Sequence, residues 1–245
     1  MPDGAQMKTS VPKGADPASV IDYLIVGGGL AGATAADTLR REGVAGSVAI
    51  LSAEDMAPYH RPFLSKSYLV GASSAEEMLV HPVEFYPAQK IDLRLGVRVA
   101  SVDTQQRQVH TAAGEVVRYG QMLLAPGAAP RRSSAAGHAL PGIHYLRQRA
   151  EADAIRTAAQ SGCRAVVIGA SYLGMEVAFS LQKLGVSVTL IEVGPRVLPL
   201  LEAPEISKFF QAGVGQRGIA VRLDDTVVRF IGTDRLEGIE TRSGE

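Results

Sequence analysis

A short apolar run closed by spaced glycines constrains this chain more than any other feature. Residues 21–32 read IDYLIVGGGLAG, with Gly27, Gly29 and Gly32 at the G-x-G-x-x-G spacing. Tyr23–Val26 has the continuous apolar character of a parallel strand buried on both faces, and Ala31–Arg41 reads as the helix after it. Gly27 permits the tight turn, Gly29 lets backbone N–H groups approach a pyrophosphate, and Gly32 lets helix and strand pack closely. The helix N-terminus adds a partial positive charge. Gly27, Gly29, Leu30, Ala31 and Gly32 therefore form a first candidate cofactor-binding set. The strand before and helix after favour a dinucleotide site over a purely structural glycine turn.

The unit occurs twice. Residues 164–174 read RAVVIGASYLG, where Gly169 and Gly174 keep the first and third positions and Ser171 takes the middle one. A β-carbon there crowds a pyrophosphate, yet serine is small and offers a hydroxyl. A helix is expected over Tyr172–Leu184 and a strand over Ser187–Ile191, with Glu192 at the strand end. An acid at that place accepts both ribose hydroxyls of NAD and repels a 2′-phosphate, which favours NADH over NADPH. Arg196 nearby either holds the adenine or admits NADPH. Gly169, Ser171, Tyr172, Leu173, Gly174, Glu192 and Arg196 form the second candidate set. In the first unit a strand is expected over Ser47–Leu51, Ser52 occupies the strand end, and Glu54 follows two residues later. Glu54 is either a ribose ligand or a solvated loop acid.

Composition removes several function classes. A chain of 245 residues, 46% apolar and 20% charged, is long enough for one large or two small domains with real cores. Net charge is zero, so the bulk carries no electrostatic footprint for nucleic acid. No apolar run reaches the roughly 18 residues of a membrane span. Residues 1–20 are polar and rich in small residues, which predicts a flexible tail without a secretory signal. The single cysteine, Cys163, allows no internal disulfide, dithiol couple or Cys-rich metal motif and fits a reducing, cytoplasmic setting. No metal site is expected.

Between the two glycine units, Pro58–Leu69 reads PYHRPFLSKSYL and places Arg61 and Lys66 beyond the first phosphate loop. Arginine can fork onto phosphate and lysine can act as a point charge beside an electron-rich ring; the other reading is a surface loop. Short strands are expected over Val97–Val102, Gln108–Thr111 and Glu115–Tyr119, then a strand within Gln121–Arg132. Ser133–Gly142 reads as a linker. Glu176, two residues past Gly174, sits in an apolar first helical turn. It either has a cationic partner or simply stabilises the helix N-terminus.

The motifs GGGLAG, YHRPFLSKSYL and GASYLGMEVA together resemble the FAD-dependent pyridine nucleotide oxidoreductases of the ferredoxin-reductase type, from about Ile21 to the end of the chain. The resemblance implies an α/β fold of two Rossmann-like, doubly wound domains with a small β-meander. An FAD-binding part would occupy residues 21–141 and an NAD(H)-binding domain 142–245. FAD and NADH are the implied cofactors, and a ferredoxin or Rieske-type iron–sulfur protein the implied acceptor. By resemblance, Arg61 and Lys66 lie on the FAD, Lys66 pairs with Glu176 near the flavin and nicotinamide, and Val99 lends its backbone to adenine. Gly127 and Arg131 match a strand-end motif, with Arg131 either on the FAD phosphates or in the linker. Pro126 replaces the family's threonine there, so the backbone must differ locally. The family's FAD domain resumes after the NAD domain, and the present residues stop short of that, as a C-terminally truncated chain would. An open edge is then expected where the resumed segment packs. The competing readings are a nucleotide-binding fragment, a redox-responsive interaction protein like apoptosis-inducing factor, or a reductase of rubredoxin, quinone or oxygen. Oligomeric state is left open.

Overall fold

The computed structural model describes residues 20–244, so the tail expected over residues 1–20 lies almost wholly outside the described residues. The chain forms two compact units. The first comprises residues 20–60 and 79–128, the second residues 61–78 and 129–244. The expected boundary near residue 141 therefore falls inside the second unit, and the segment 61–78 clusters with it too.

In the first unit, β1 (Val20–Val26), α1 (Leu30–Arg41) and β2 (Val48–Leu51) make the expected βαβ start. A short helix, α2 (Phe85–Ala88), leads into β3 (Ile91–Arg94), which pairs in parallel with β2. The antiparallel arm β4 (Val99–Asp103) and β5 (Gln108–Thr111) follows. The next strand differs from expectation: β6 is one continuous strand, Val116–Leu124. Its first part pairs antiparallel with β5, and the strand runs parallel to β1 along Arg118–Leu124. The meander and the parallel sheet are thus one six-stranded sheet of order β3-β2-β1-β6-β5-β4.

Alternation along β1 and β2 explains their unbroken apolar text. Leu24, Val26, Ala49 and Leu51 join Val109, Val117 and Tyr119 of the arm in one cluster. Ile25, Val48 and Ile50 join Ala36 of α1, with Tyr86 and Ile91, in another. Helix covers one face and the antiparallel arm the other, so polar residues have no place on either side.

The second unit begins with α3 (Arg149–Ala158), whose start carries a reciprocal capping box between Gln148 and Glu151. Then β7 (Arg164–Ile168), α4 (Tyr172–Lys183), β8 (Ser187–Ile191), α5 (Pro204–Gln216) and β9 (Ala220–Arg222) form a βαβαβ run. Its parallel sheet has the order β7-β8-β9. Ala170, Met175, Ala178, Leu181, Leu190 and Val214 are among the buried residues of its core. β7 is an edge strand, with Val166 and Ile168 exposed by 40% and 52%. β10 (Val227–Ile231) and β11 (Gly238–Thr241) form a separate hairpin.

One carboxylate ties the hairpin's two ends. Asp225 accepts hydrogen bonds from the Ser243 hydroxyl at 2.7 Å and the Thr226 N–H at 2.8 Å. The Ser243 hydroxyl, above all, holds the Asp225 carboxyl down to about 2 from its ordinary 3.8. A depressed carboxyl stabilises the fold fully above its unfolded value, and that contribution is lost as pH falls through the folded one. Acid titration of the second unit should therefore show stability falling from about pH 4 to about pH 2. Asp225→Asn should flatten that slope, as followed by urea unfolding at stepped pH.

Candidate functional site

The two glycine turns are built alike from backbone contacts. The Gly27 N–H donates to the Leu51 carbonyl, and the Gly169 N–H to the Ile191 carbonyl. A β-carbon on Gly32 would lie 2.1 Å from the Gly27 oxygen, and one on Gly174 only 1.8 Å from the Gly169 oxygen. No side chain fits between those helices and loops, so the third glycine of each motif is fixed by packing.

The middle glycine is different in kind. Gly29 has φ −94° and ψ −175°, extended backbone open to any L-residue. A β-carbon there would meet nothing within 4 Å. Neither strain nor crowding within the chain accounts for glycine, and the space beside it at the start of α1 is open. Ser171, its counterpart, has the same extended conformation (φ −71°, ψ 178°), which is why serine stands there without strain. Its hydroxyl caps α4, accepting from the Gly174 N–H at a long 3.5 Å. Leu30 and Tyr172–Leu173, at the starts of the two helices, expose large parts of their side chains.

The strand-end positions diverge. In the second unit Glu192 is 6% exposed. It accepts from the Ala170 N–H at 2.7 Å and the Gly194 N–H at 2.9 Å. Its carboxylate is thereby fixed beside the glycine turn. In the first unit Ser52 holds the equivalent place, and its Oγ lies 2.3 Å from where a Gly28 β-carbon would stand. Gly28 is thus required although it lies outside the spaced motif, a role that spacing alone does not signal. The Ser52 Oγ accepts from the Glu54 N–H, and the Glu54 carboxylate accepts from the Tyr59 hydroxyl at 2.6 Å. One terminal nitrogen of Arg196, Nη2, donates to the Pro199 and Leu201 carbonyls of its own loop at 3.2 and 2.9 Å.

Other expected residues are placed as follows. Val99 opens β4 and pairs with Thr111. Ala125 N–H donates to the Val26 carbonyl just past the end of β6, and Gly127 follows at φ 72° with Arg131 exposed further on. Arg61 begins a 3-10 turn, Arg61–Ser65, in the second unit, and its guanidinium donates to the Arg147 carbonyl.

Within the second unit Lys66 and Glu176 meet: Lys66 Nζ stands 2.6 Å from Glu176 Oε1. Their side chains are 50% and 32% exposed, so Glu176 is not a buried charge in need of rescue. A pair so exposed adds at most about 1 kcal/mol to stability. The segment 61–78 is held by other contacts. The Tyr68 hydroxyl donates to Asp153 at 2.7 Å, and the Arg156 guanidinium lies 5.2 Å from the Tyr68 ring centre. Burial, then Asp153, pushes the Tyr68 hydroxyl above its usual pKa. Among the described residues no group of three or more His, Cys, Asp or Glu is placed to hold a metal ion, and no helix is long and apolar enough to cross a membrane.

Residues 21–245 match the family model described as pyridine nucleotide-disulphide oxidoreductase. The chain belongs to that family. It is 40% identical over 213 residues to a ferredoxin–NAD(P)(+) reductase of Sphingomonas sp., covering 87% of this chain and 51% of the relative. It is 39% identical over 225 residues to the ferredoxin reductase subunit of a 5,5'-dehydrodivanillate O-demethylase from Sphingobium sp., covering 91% and 55%. Among solved structures, the covalent putidaredoxin reductase–putidaredoxin complex superposes with a TM-score of 0.88 at 31% identity, covering 92% of this chain and 55% of that one. The chain spans about half the length of these relatives.

The 245 residues hold a single cysteine, the exposed Cys163, and so no disulphide pair among themselves. The fold class is that of the family's Rossmann-like units, one per glycine turn. The free space at Gly29 yields a sharp expectation. Gly29→Val should leave the thermal midpoint almost unchanged and abolish dinucleotide binding to the first unit, measured by fluorescence titration. A large loss of stability instead would place the constraint within the chain.

Proposed function

We propose that this chain is the nucleotide-binding part of an FAD-dependent NADH oxidoreductase that passes electrons to a ferredoxin or Rieske-type iron–sulfur protein. The observation that carries the reading is the duplication: two glycine turns in one chain, the first left open above a middle glycine that packing does not require. The acceptor class is supported by the names of the two curated relatives, both ferredoxin reductases. The cytoplasmic setting is supported by the single cysteine.

In this reading the first unit takes FAD. Gly27, Gly29, Leu30, Ala31 and Gly32 face its pyrophosphate with the N-terminus of α1, whose partial positive charge complements the anion. Glu54 and Val99 serve the adenosine end, and Gly127 the phosphates and their surroundings. The second unit takes NADH on Gly169, Ser171, Tyr172, Leu173 and Gly174. Glu192 discriminates against a 2′-phosphate, because that carboxylate already fills its backbone bonds in place and like charge there is repelled. Arg196 Nη2 is held by two carbonyls of its own loop.

FAD, when bound, supplies the conversion of a two-electron donor's charge into single-electron transfers. The chain's own residues supply position and electrostatics. Lys66 and Glu176 act beside the reacting rings, Lys66 as a cation next to the flavin and Glu176 as the group that orients it. No side chain has to serve as acid, base or nucleophile for hydride to pass directly from donor to acceptor.

The test is an anaerobic absorbance titration of the chain loaded with FAD. NADH should bleach the bound flavin, NADPH at equal concentration should do so far more slowly, and added oxidised ferredoxin should restore the colour. Bound flavin indifferent to NADH would overturn the reading. Glu176→Ala should slow the bleaching at least tenfold while leaving the flavin bound, a barrier higher by about 1.4 kcal/mol or more.

A further inference from the structure

The Lys66–Glu176 contact has a buried half that the ion pair alone does not describe. Glu176 Oε1 faces Lys66, while Oε2 accepts from the Ser65 hydroxyl at 2.6 Å. Ser65 is 2% exposed, against 50% for the Lys66 side chain. A serine hydroxyl has one proton to give. Its other acceptor within reach, the Pro62 carbonyl, is 3.4 Å away, so the proton goes to the carboxylate, the shorter and charge-assisted bond.

Ser65 is itself fixed from behind. The Ser180 hydroxyl, buried on α4, donates to the Ser65 carbonyl at 2.6 Å. Glu176 and Ser180 are four residues apart on α4 and share one face of the helix. That face grips a single residue of the segment twice, once at its side chain and once at its backbone.

From this arrangement we infer that Ser65 is a positioning residue: its hydroxyl locks the inner oxygen of Glu176, so that the outer oxygen holds the Lys66 ammonium in one orientation. A half-exposed lysine and a one-third-exposed glutamate left to themselves would sample several rotamers, since the attraction between exposed charges barely outweighs the side-chain entropy. A buried, charge-assisted bond on one carboxylate oxygen removes that freedom from Glu176, and Lys66 inherits the restraint. The two consecutive residues Ser65 and Lys66 thereby take one carboxylate between them, one on its dry side and one on its wet side. The inference rests on the reading that the Lys66–Glu176 pair serves the flavin, and it names what keeps that pair in register.

The test separates the two. Lys66 acylation by acetic anhydride is followed by mass spectrometry of its peptide, in the chain stripped of nucleotide. Wild type is compared with Ser65→Ala, Ser180→Ala and Glu176→Gln. Glu176→Gln and Ser65→Ala should each speed acylation of Lys66 several-fold, while Ser180→Ala, which loosens the segment but keeps the carboxylate's donor, should stay near wild type. The FAD-loaded Ser65→Ala chain should also show a flavin midpoint potential shifted in the same direction as in Glu176→Gln. If Glu176→Gln speeds acylation and Ser65→Ala does not, the positioning role fails and the pair stands. If Ser65→Ala and Ser180→Ala behave alike, Ser65 only anchors the segment and the role again fails. If Glu176→Gln changes nothing, the ion pair is absent in solution and the underlying reading falls with it.

Discussion

Everything in this structure depends on one contact made twice: a helix lying so close to the loop before it that the helix's third residue can only be glycine. At Gly32 and Gly174 a β-carbon would stand 2.1 and 1.8 Å from a carbonyl oxygen of the turn's first glycine. That approach brings the N-terminus of α1 against the end of β1, and of α4 against the end of β7, so each helix directs its first N–H groups past the strand ends. The strands flanking these turns pair in parallel, β1 with β2 and β2 with β3 in one unit, β7 with β8 and β8 with β9 in the other. The positions flanking the contact are then free to vary. Gly29 is left open while Ser171 is capped, and Ser52 stands where Glu192 stands in the other unit.

Much of this was legible because it rests on local text. The glycine spacing, the apolar runs of β1 and β7 and the helix following each are covalent-neighbour features, and β8 fell at the residues its pattern indicates. Three things were not legible. β6 reads as two strands because Gly120 interrupts its apolar pattern; in the structure that glycine lies against the Asp22 backbone, and the strand runs through unbroken. The segment 61–78 follows the first unit in sequence, yet it packs with the second through Ser65, Tyr68 and their partners on α3 and α4. Partners some 85 to 115 residues away leave no trace in local periodicity. Nor does the sequence show that Arg196 Nη2 donates to the carbonyls of Pro199 and Leu201 in its own loop.

The Lys66–Glu176 pair illustrates why the site is harder to read than the fold. An apolar helical turn around Glu176 suggests a buried carboxylate seeking compensation, whereas the structure leaves it one-third exposed. Stability gives such a pair little reason to exist. What distinguishes it from other surface pairs is its second oxygen, bound by a fully enclosed serine in a chain segment that crosses to α4. Arg149–Asp153, by comparison, is a helix-surface pair of ordinary i,i+4 spacing. The contrast separates a contact that merely decorates a helix from one that fixes the direction of a charge.

The central claim is that one chain carries two separate dinucleotide sites, one per glycine turn. Equilibrium dialysis of the chain against FAD and NAD+ together, a pair that does not react, measures this most directly. The account predicts one FAD and one NAD+ bound per chain at saturation, with neither displacing the other. A total of one nucleotide per chain, or competition between the two for a single site, would contradict it.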